Sequence, residues 1–339
     1  MSGEDDSSGW QLTESDPGVF TELLKSLGVP LICDDLYSLD ASVLAPLAPI
    51  HALIFLFKWL PSSGEPDPSS TTGSQYDPDF PGFFAHQVVN NACATLAVLN
   101  ALGNITPLPS TSTNRAPGST SQLEDLFAFT TGMDPQTRGL AVTSADWLRE
   151  AHNALSPPSA ISLDGLDLPR ETEKDAYHFV VYLPVNGAVY ELDGLKREPI
   201  RHGAWEEGGE GWIGKAREVI EARIATYPAG ALEFSLLALH DDNLPALQAQ
   251  LEQLQAAGDT MMAEEVGQMV ANEAAKRQRW DFENSLRRHN HLGLIHALLL
   301  AMAKSGTLDK AVDGARTVMK TRVEARRAAG LKGADLMED

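Results

Sequence analysis

The feature that most constrains this chain is the block AYHFVVYLPVNGAVYELDGL at 176–195, with one Asn-Gly pair in its middle. Asn186-Gly187 between β-branched and aromatic residues reads as the two-residue turn of a β-hairpin. Both central positions of that turn need positive φ, and its twist matches the twist of the strands. Once the turn is placed, the register follows: Val185 pairs with Ala188, and continued pairing puts Val180 opposite Asp193. A slip of one residue would send every side chain to the other face. His178 is two residues from Val180 and projects from the same face. His178 and Asp193 are then diagonal neighbours, about 7–8 Å apart at the backbone and within reach of each other's side chains. An imidazole needs such a carboxylate to fix its tautomer and orientation. Glu191 shares that face one step further along and is the weaker candidate for the role.

The segment FFAHQVVNNACATLAVLNALGN at 83–104 supplies the other half of a possible chemistry. Asn90 and Asn91 are good N-caps and Gly103 is a natural C′ residue, so a buried helix is expected over about 91–102. Cys93 falls in its first turn. Unpaired N–H groups and the partial positive charge of a helix start favour a thiolate there. Gln87 precedes Cys93 by one turn of chain, so its amide is placed to donate toward a carbonyl that the sulfur attacks. Taken alone, a cysteine in an apolar helix is more often a small core residue. Eight other histidines compete with His178, but none has an acid set on its face by a turn that the sequence locates. A Cys33–Cys93 redox pair also stays open, although nothing in the sequence joins the two.

Charge narrows the function classes. The chain carries a net charge of −21, which argues against nucleic acid as a main partner. The imbalance is uneven: residues 276–339 hold 13 basic and 8 acidic side chains, and the rest of the chain is strongly acidic. The front part suits a basic protein substrate, and the tail has a separate role. Two cysteines make neither a disulfide framework nor a metal-ligand pair, so no metal or other cofactor is expected. The opening MSGEDDSSGW does not read as a secretory or mitochondrial signal. The longest apolar runs are too short, or too interrupted by proline, to span a bilayer, so no membrane role is expected. These readings fit a reducing intracellular compartment.

Organisation follows composition. Residues 1–9 read as flexible and 10–241 as one α/β catalytic domain. Asp16-Pro17 opens a helix with Val19, Phe20, Leu23 and Leu24 as its apolar stripe, and HALIFLFKW at 51–59 is a buried strand. Pro/Ser/Gly/Asp-rich loops are expected at 61–82, 106–122 and 156–175. Helix is expected around 122–130 and 144–155, and a strand at 231–239 that closes the sheet. Beyond Asp241 the pattern is helical: a linker over 242–275 with a leucine seam at 244, 247, 251 and 254, a second helical domain over 276–330, and a flexible tail at 331–339.

These segments resemble the ubiquitin C-terminal hydrolase family of cysteine proteases, and within it the proteasome-associated member with a helical C-terminal extension. The likeness is carried by WQLTESDPGVFTELLKSLGV, PIHALIFLFKW, FFAHQVVNNACATLAVLNAL, KDAYHFVVYLPVNGAVYELDGLKREPI and the RRHNHLGLI box. It implies a papain-like fold, an antiparallel sheet flanked by helices, with an all-helical extension. It implies Cys93 as nucleophile, His178 as base, Asp193 as the acid that orients it and Gln87 as oxyanion donor. The reaction implied is hydrolysis after the C-terminal glycine of ubiquitin, with 156–175 as a loop crossing the active site and filtering leaving groups by size. Ser15, Asp16, Pro17 and Phe20 match a segment near the ubiquitin-facing surface. The tail resembles the extension that docks on the ubiquitin receptor of the proteasome regulatory particle, although His291 and Gly293 replace the aromatic and proline usual in its box. A cytoplasmic and nuclear location is expected. The alternatives are a non-catalytic ubiquitin-binding scaffold of the same fold and hydrolysis of a different ubiquitin-like modifier.

Overall fold

The computed structural model describes residues 8–59, 74–109, 121–156, 176–205, 210–227, 234–289 and 291–328. In chain order the elements are α1 (Pro17–Ser26), β1 (Leu31–Asp35), α2 (Ala41–Leu44), β2 (Ile50–Trp59), β3 (Gln75–Tyr76), α3 (Cys93–Leu102), α4 (Gln122–Phe129), α5 (Pro135–Thr143) and α6 (Asp146–Asn153). There follow β4 (Ala176–Val185), β5 (Ala188–Leu192), β6 (Ile200–Ala204), α7 (Gly211–Ile224), β7 (Phe234–Asp241), α8 (Leu244–Ala257), α9 (Thr260–Arg287), α10 (Leu292–Lys304) and α11 (Leu308–Ala328).

The Asn-Gly hairpin forms in the expected register. Asn186 and Gly187 have φ of 46° and 77°, and the ladder runs from Val185–Ala188 to Val181–Leu192. This hairpin lies inside one antiparallel sheet ordered β1-β7-β2-β4-β5-β6-β3. The strand expected to close the sheet, β7, instead inserts between β1 and β2. Its Leu237, Ala238 and Leu239 are apolar on both faces and fully buried, which suits an interior strand. Part of the expected loop at 61–82 is also strand: β3 pairs with β6. Residues 60–73, 110–120 and 157–175 lie outside the described residues, and with them most of the three expected loops.

Helices cover both faces, which is why β2 and β4 read as continuous apolar runs. Phe55, Phe57, Val180 and Tyr182 pack with Ala216, Val219 and Ile220 of α7. On the other face Ile54, Phe179 and Val181 pack with α1 and α3. Every residue of α3 after Cys93 is buried. A helix apolar all round has no solvent side to present. Gly103 ends it, but as a right-handed cap at φ −64° and not as the left-handed C′ residue expected. Its smallness matters for packing: a Cβ there would lie 2.5 Å from the Phe83 ring.

The helical end divides differently from the expected boundary at 275/276. That point falls inside the unbroken α9, and the compact units are Met1–Arg288 and His289–Asp339. Within the first unit, α8 turns back at Gly258 (φ 74°) and its half-buried leucines face α9. The seam is therefore closed by the chain itself. Helix α9 lies on α1, where Asn284 donates to the Gly18 carbonyl at 3.0 Å and Trp280 covers Gly18 so closely that a Cβ would sit 2.8 Å from its ring. Lys276 pairs with Asp34 at 2.8 Å and Arg287 with Asp16 at 3.0 Å. In the second unit, α10 and α11 form a helical hairpin that turns at Gly306 (φ 68°).

One buried ionic cluster ties β4, β5, β6 and α7 together. Glu191 accepts from Arg223 at 2.6 Å and meets His202 at 3.1 Å, and Arg223 also reaches the Tyr182 hydroxyl at 3.1 Å. Burial alone would raise the Glu191 pKa, but Arg223 and then His202 overcome it and hold the carboxyl well below its ordinary range. Its contribution to stability is thus present above the ordinary carboxylate pKa and fades as acid approaches the folded one. Arg223→Met should cost about 3–5 kcal/mol at neutral pH, because it strands a buried carboxylate. In urea titrations that penalty should shrink as the pH falls, because Glu191 protonates more readily in the variant and the wild-type pair loses its advantage in acid; a penalty that grows in acid would contradict this account.

Candidate active site

Cys93 is the first residue of α3 and is partly exposed. The expected asparagine caps are not what starts the helix: Ala92 holds the cap position without a side-chain bond. Asn91 instead adopts φ 64° and donates its side-chain amide to the Trp10 carbonyl at 3.0 Å. That left-handed step, which Asn tolerates better than most residues, turns the chain into α3. Among the described residues no side chain caps the first-turn N–H groups of α3.

His178 and Asp193 meet as the hairpin register requires. Nε2 of His178 lies 2.5 Å from Oδ1 of Asp193, and both residues are buried. The carboxylate can only accept, so Nε2 carries the proton, which leaves Nδ1 as the free ring nitrogen near Cys93. The Leu195 N–H also donates to Oδ1 of Asp193 at 2.9 Å, and Phe57 meets the imidazole edge-on at 5.8 Å. Glu191, the weaker candidate, is committed to Arg223 and His202. Burial opposes the charged ring, but Asp193 and then Cys93 overcome it and raise the His178 pKa from 6.5 to about 10.

Gln87 is tied to the same turn. Its N–H donates to the Gly194 carbonyl at 2.8 Å, and a Cβ on Gly194 would lie 3.0 Å from that nitrogen. Glycine after Asp193 is what lets the two segments approach. The side-chain oxygen of Gln87 is buried without a partner among the described residues, so one end of its amide has no partner there. Sequence reasoning missed Gly194 and the strap behind Cys93. In that strap His152, buried, meets Thr95 at 2.7 Å and the Gln11 carbonyl at 2.7 Å. The lone His152 carried no turn or spacing that could have flagged it.

The remaining expected residues fall differently. Pro17 and Phe20 are buried, Phe20 against Phe179, so neither is offered to a macromolecular substrate; the helix stripe that contains Phe20 faces the core. Asp16 caps α1 through the Val19 N–H and pairs with Arg287, and Ser15 donates to Ser235 at 2.8 Å. Both remain part-exposed. Cys33 and Cys93 are both free. Burial, then Asp34 and Asp35, push the Cys33 thiol far up, so Cys33 is not a reactive partner.

Because the folded pKa of His178 is raised above 6.5 to about 10, the stabilisation from its pair is complete below the lower value and is lost as pH climbs toward the upper one. In an NMR titration the ring should keep imidazolium shifts from about pH 6 to about pH 8. A midpoint near the ordinary value would show that Asp193 does not hold the proton.

The chain is similar to known proteins over most of its length. Residues 10–225 match the family described as ubiquitin carboxyl-terminal hydrolase, family 1, and residues 263–308 match a second description, ubiquitin carboxyl-terminal hydrolases. Ubiquitin carboxyl-terminal hydrolase ubh-4 of Caenorhabditis elegans is 36% identical over 322 residues, covering 94% of each chain. Ubiquitin carboxyl-terminal hydrolase 2 of Schizosaccharomyces pombe is 35% identical over 296 residues, covering 87% of this chain and 91% of the relative. A crystal structure of Trichinella spiralis UCH37 bound to ubiquitin vinyl methyl ester superposes with a TM-score of 0.61 at 32% identity, covering 80% of this chain and 99% of that one. The chain belongs to family 1 of the ubiquitin carboxyl-terminal hydrolases, as a cysteine-type ubiquitin hydrolase with a C-terminal extension.

Proposed function

We propose that the protein binds ubiquitin conjugates, cleaves the bond after the ubiquitin C-terminal glycine, and does so at the proteasome to remove or trim ubiquitin. The observation that carries the chemistry is a part-exposed sulfur at a helix start, beside an imidazole that a buried carboxylate holds at 2.5 Å. In this reading the Cys93 thiolate attacks the glycine carbonyl and His178 delivers a proton to the leaving amine. Asp193 keeps the imidazole in the reactive tautomer, and a thioester to Cys93 forms. Water activated by His178 then releases ubiquitin. Gln87 donates to the oxyanion in both steps, where charge develops in a water-poor site. A non-catalytic scaffold would have no need of this thiol, imidazole and carboxylate in contact.

The docking role rests on the separate helical unit that begins at His289. With it goes a cytoplasmic and nuclear location. The size-filter role of 156–175 belongs to this proposal, and residues 157–175 lie outside the described ones.

A ubiquitin probe with an electrophilic C-terminus should label Cys93 and nothing else. Asp193→Asn should keep the fold and lose about 10⁴ in kcat, through loss of imidazole orientation; a near wild-type rate would mean that another group orients His178. Deleting residues 289–339 leaves α9 seated on α1 and should abolish recovery of proteasomes in a pull-down while probe labelling persists. Undiminished recovery would place the docking surface elsewhere.

A further inference from the structure

Helix α3 is apolar and buried, yet it contains Asn100, which is 1% exposed. A buried amide must be paired to be tolerated. Asn100 pairs with a single residue across from it: its Oδ1 accepts from the Ala85 N–H at 2.9 Å and its Nδ2 donates to the Ala85 carbonyl at 3.3 Å. One turn on, Asn104 does the same to Phe83, accepting from its N–H at 2.9 Å and donating to its carbonyl at 2.8 Å. Each side chain thus imitates one rung of a β-ladder.

The two rungs are commensurate. Four residues of helix rise about 6 Å, and two residues of extended chain advance about 6.6 Å. Asn100 in α3 and Asn104 in the turn just past Gly103 can therefore hold alternate residues 85 and 83. Segment and helix run in opposite directions, so the register carries Gln87 along the start of α3, toward Cys93. The other edge of the segment is held from elsewhere: Arg138 donates to the Phe84 carbonyl at 2.8 Å, and the His86 N–H donates to the Pro135 carbonyl at 2.9 Å. The Gln87 N–H then closes on Gly194, beside Asp193.

We infer that Asn100 and Asn104 are positioning residues for the reaction, which use the nucleophile helix itself as a ruler to set the oxyanion donor Gln87 against Cys93. The two asparagines do not touch substrate. They act through the placement of Gln87, and the inference rests on the roles proposed above for Gln87 and Cys93.

The test is a double-mutant cycle on the full chain with a fluorogenic ubiquitin substrate. Gln87→Ala should lower kcat by about 10²-fold, the usual cost of an oxyanion donor. Asn104→Ala, in the half-buried turn after the helix, should lower kcat about tenfold or more with KM little changed, since a misplacement of about 1 Å suffices. In the Gln87→Ala background the same change should cost almost nothing further. Alkylation of Cys93 by iodoacetamide, which forms no oxyanion, should keep its wild-type rate in both single variants and reports that the site is folded. Asn100→Ala repeats the cycle at the buried rung, and Asn104→Ala carries the test alone if that variant does not fold. Full kcat in Asn104→Ala, or a loss undiminished in the Gln87→Ala background, would overturn the positioning role. Full kcat in Gln87→Ala itself would instead overturn the oxyanion assignment on which the inference rests.

Discussion

The contact between His178 and Asp193 organises this molecule. The ring is not stable as a cation alone in its position: a charged imidazole with so little exposure would neutralise by shifting its pKa. Paired with Asp193, the ring is held charged, and its Nε2 is taken up, which leaves the second nitrogen for the neighbouring Cys93. The pairing depends on strand register, because the two residues reach each other from adjacent strands across a two-residue turn. The turn at Asn186-Gly187 is far along the hairpin from the site, yet any change in it would move the carboxylate away from the imidazole.

Around that contact the chain brings its working groups together by backbone bonding more than by side-chain packing. Asp193 is followed by a glycine whose carbonyl takes the Gln87 N–H. The segment with Gln87 is gripped by the amides of Asn100 in α3 and Asn104 just beyond it on one edge, and by Arg138 and Pro135 on the other. The nucleophile helix is itself buried between the sheet and the flanking helices. Rigid elements therefore hold Cys93, His178 and Gln87, the arrangement that the proposed chemistry needs.

Helix α9 extends the catalytic unit beyond the limit that composition indicates. Ion pairs to Asp34 and Asp16, together with Trp280 over Gly18, seat it on α1, the same helix whose Phe20 packs behind the His178 strand at Phe179. The family match over residues 263–308 spans both this seated helix and the start of the separate helical unit. The extension is thus part scaffold for the catalytic unit and part independent body.

What was legible from the residues alone was local and periodic: the hairpin and its register, the buried strand β2, the helix that starts at Cys93, and the His–Asp neighbourhood. Each follows from short-range rules of turn chemistry, alternation and helix period, which act over a few residues. The resemblance to a known family added roles that those rules could not assign. Tertiary structure decided the rest, because it depends on which distant segments meet. It put β7 inside the sheet, used Asn91 for a left-handed step in place of a cap, and buried Phe20 and Pro17. It also engaged Glu191 with Arg223 and joined α9 to the catalytic unit. A polar side chain reads the same in sequence whether it faces water or a partner a hundred residues away. Asn100 is such a residue: its place in an apolar helix shows that something must meet it, and only the folded chain shows that Ala85 does.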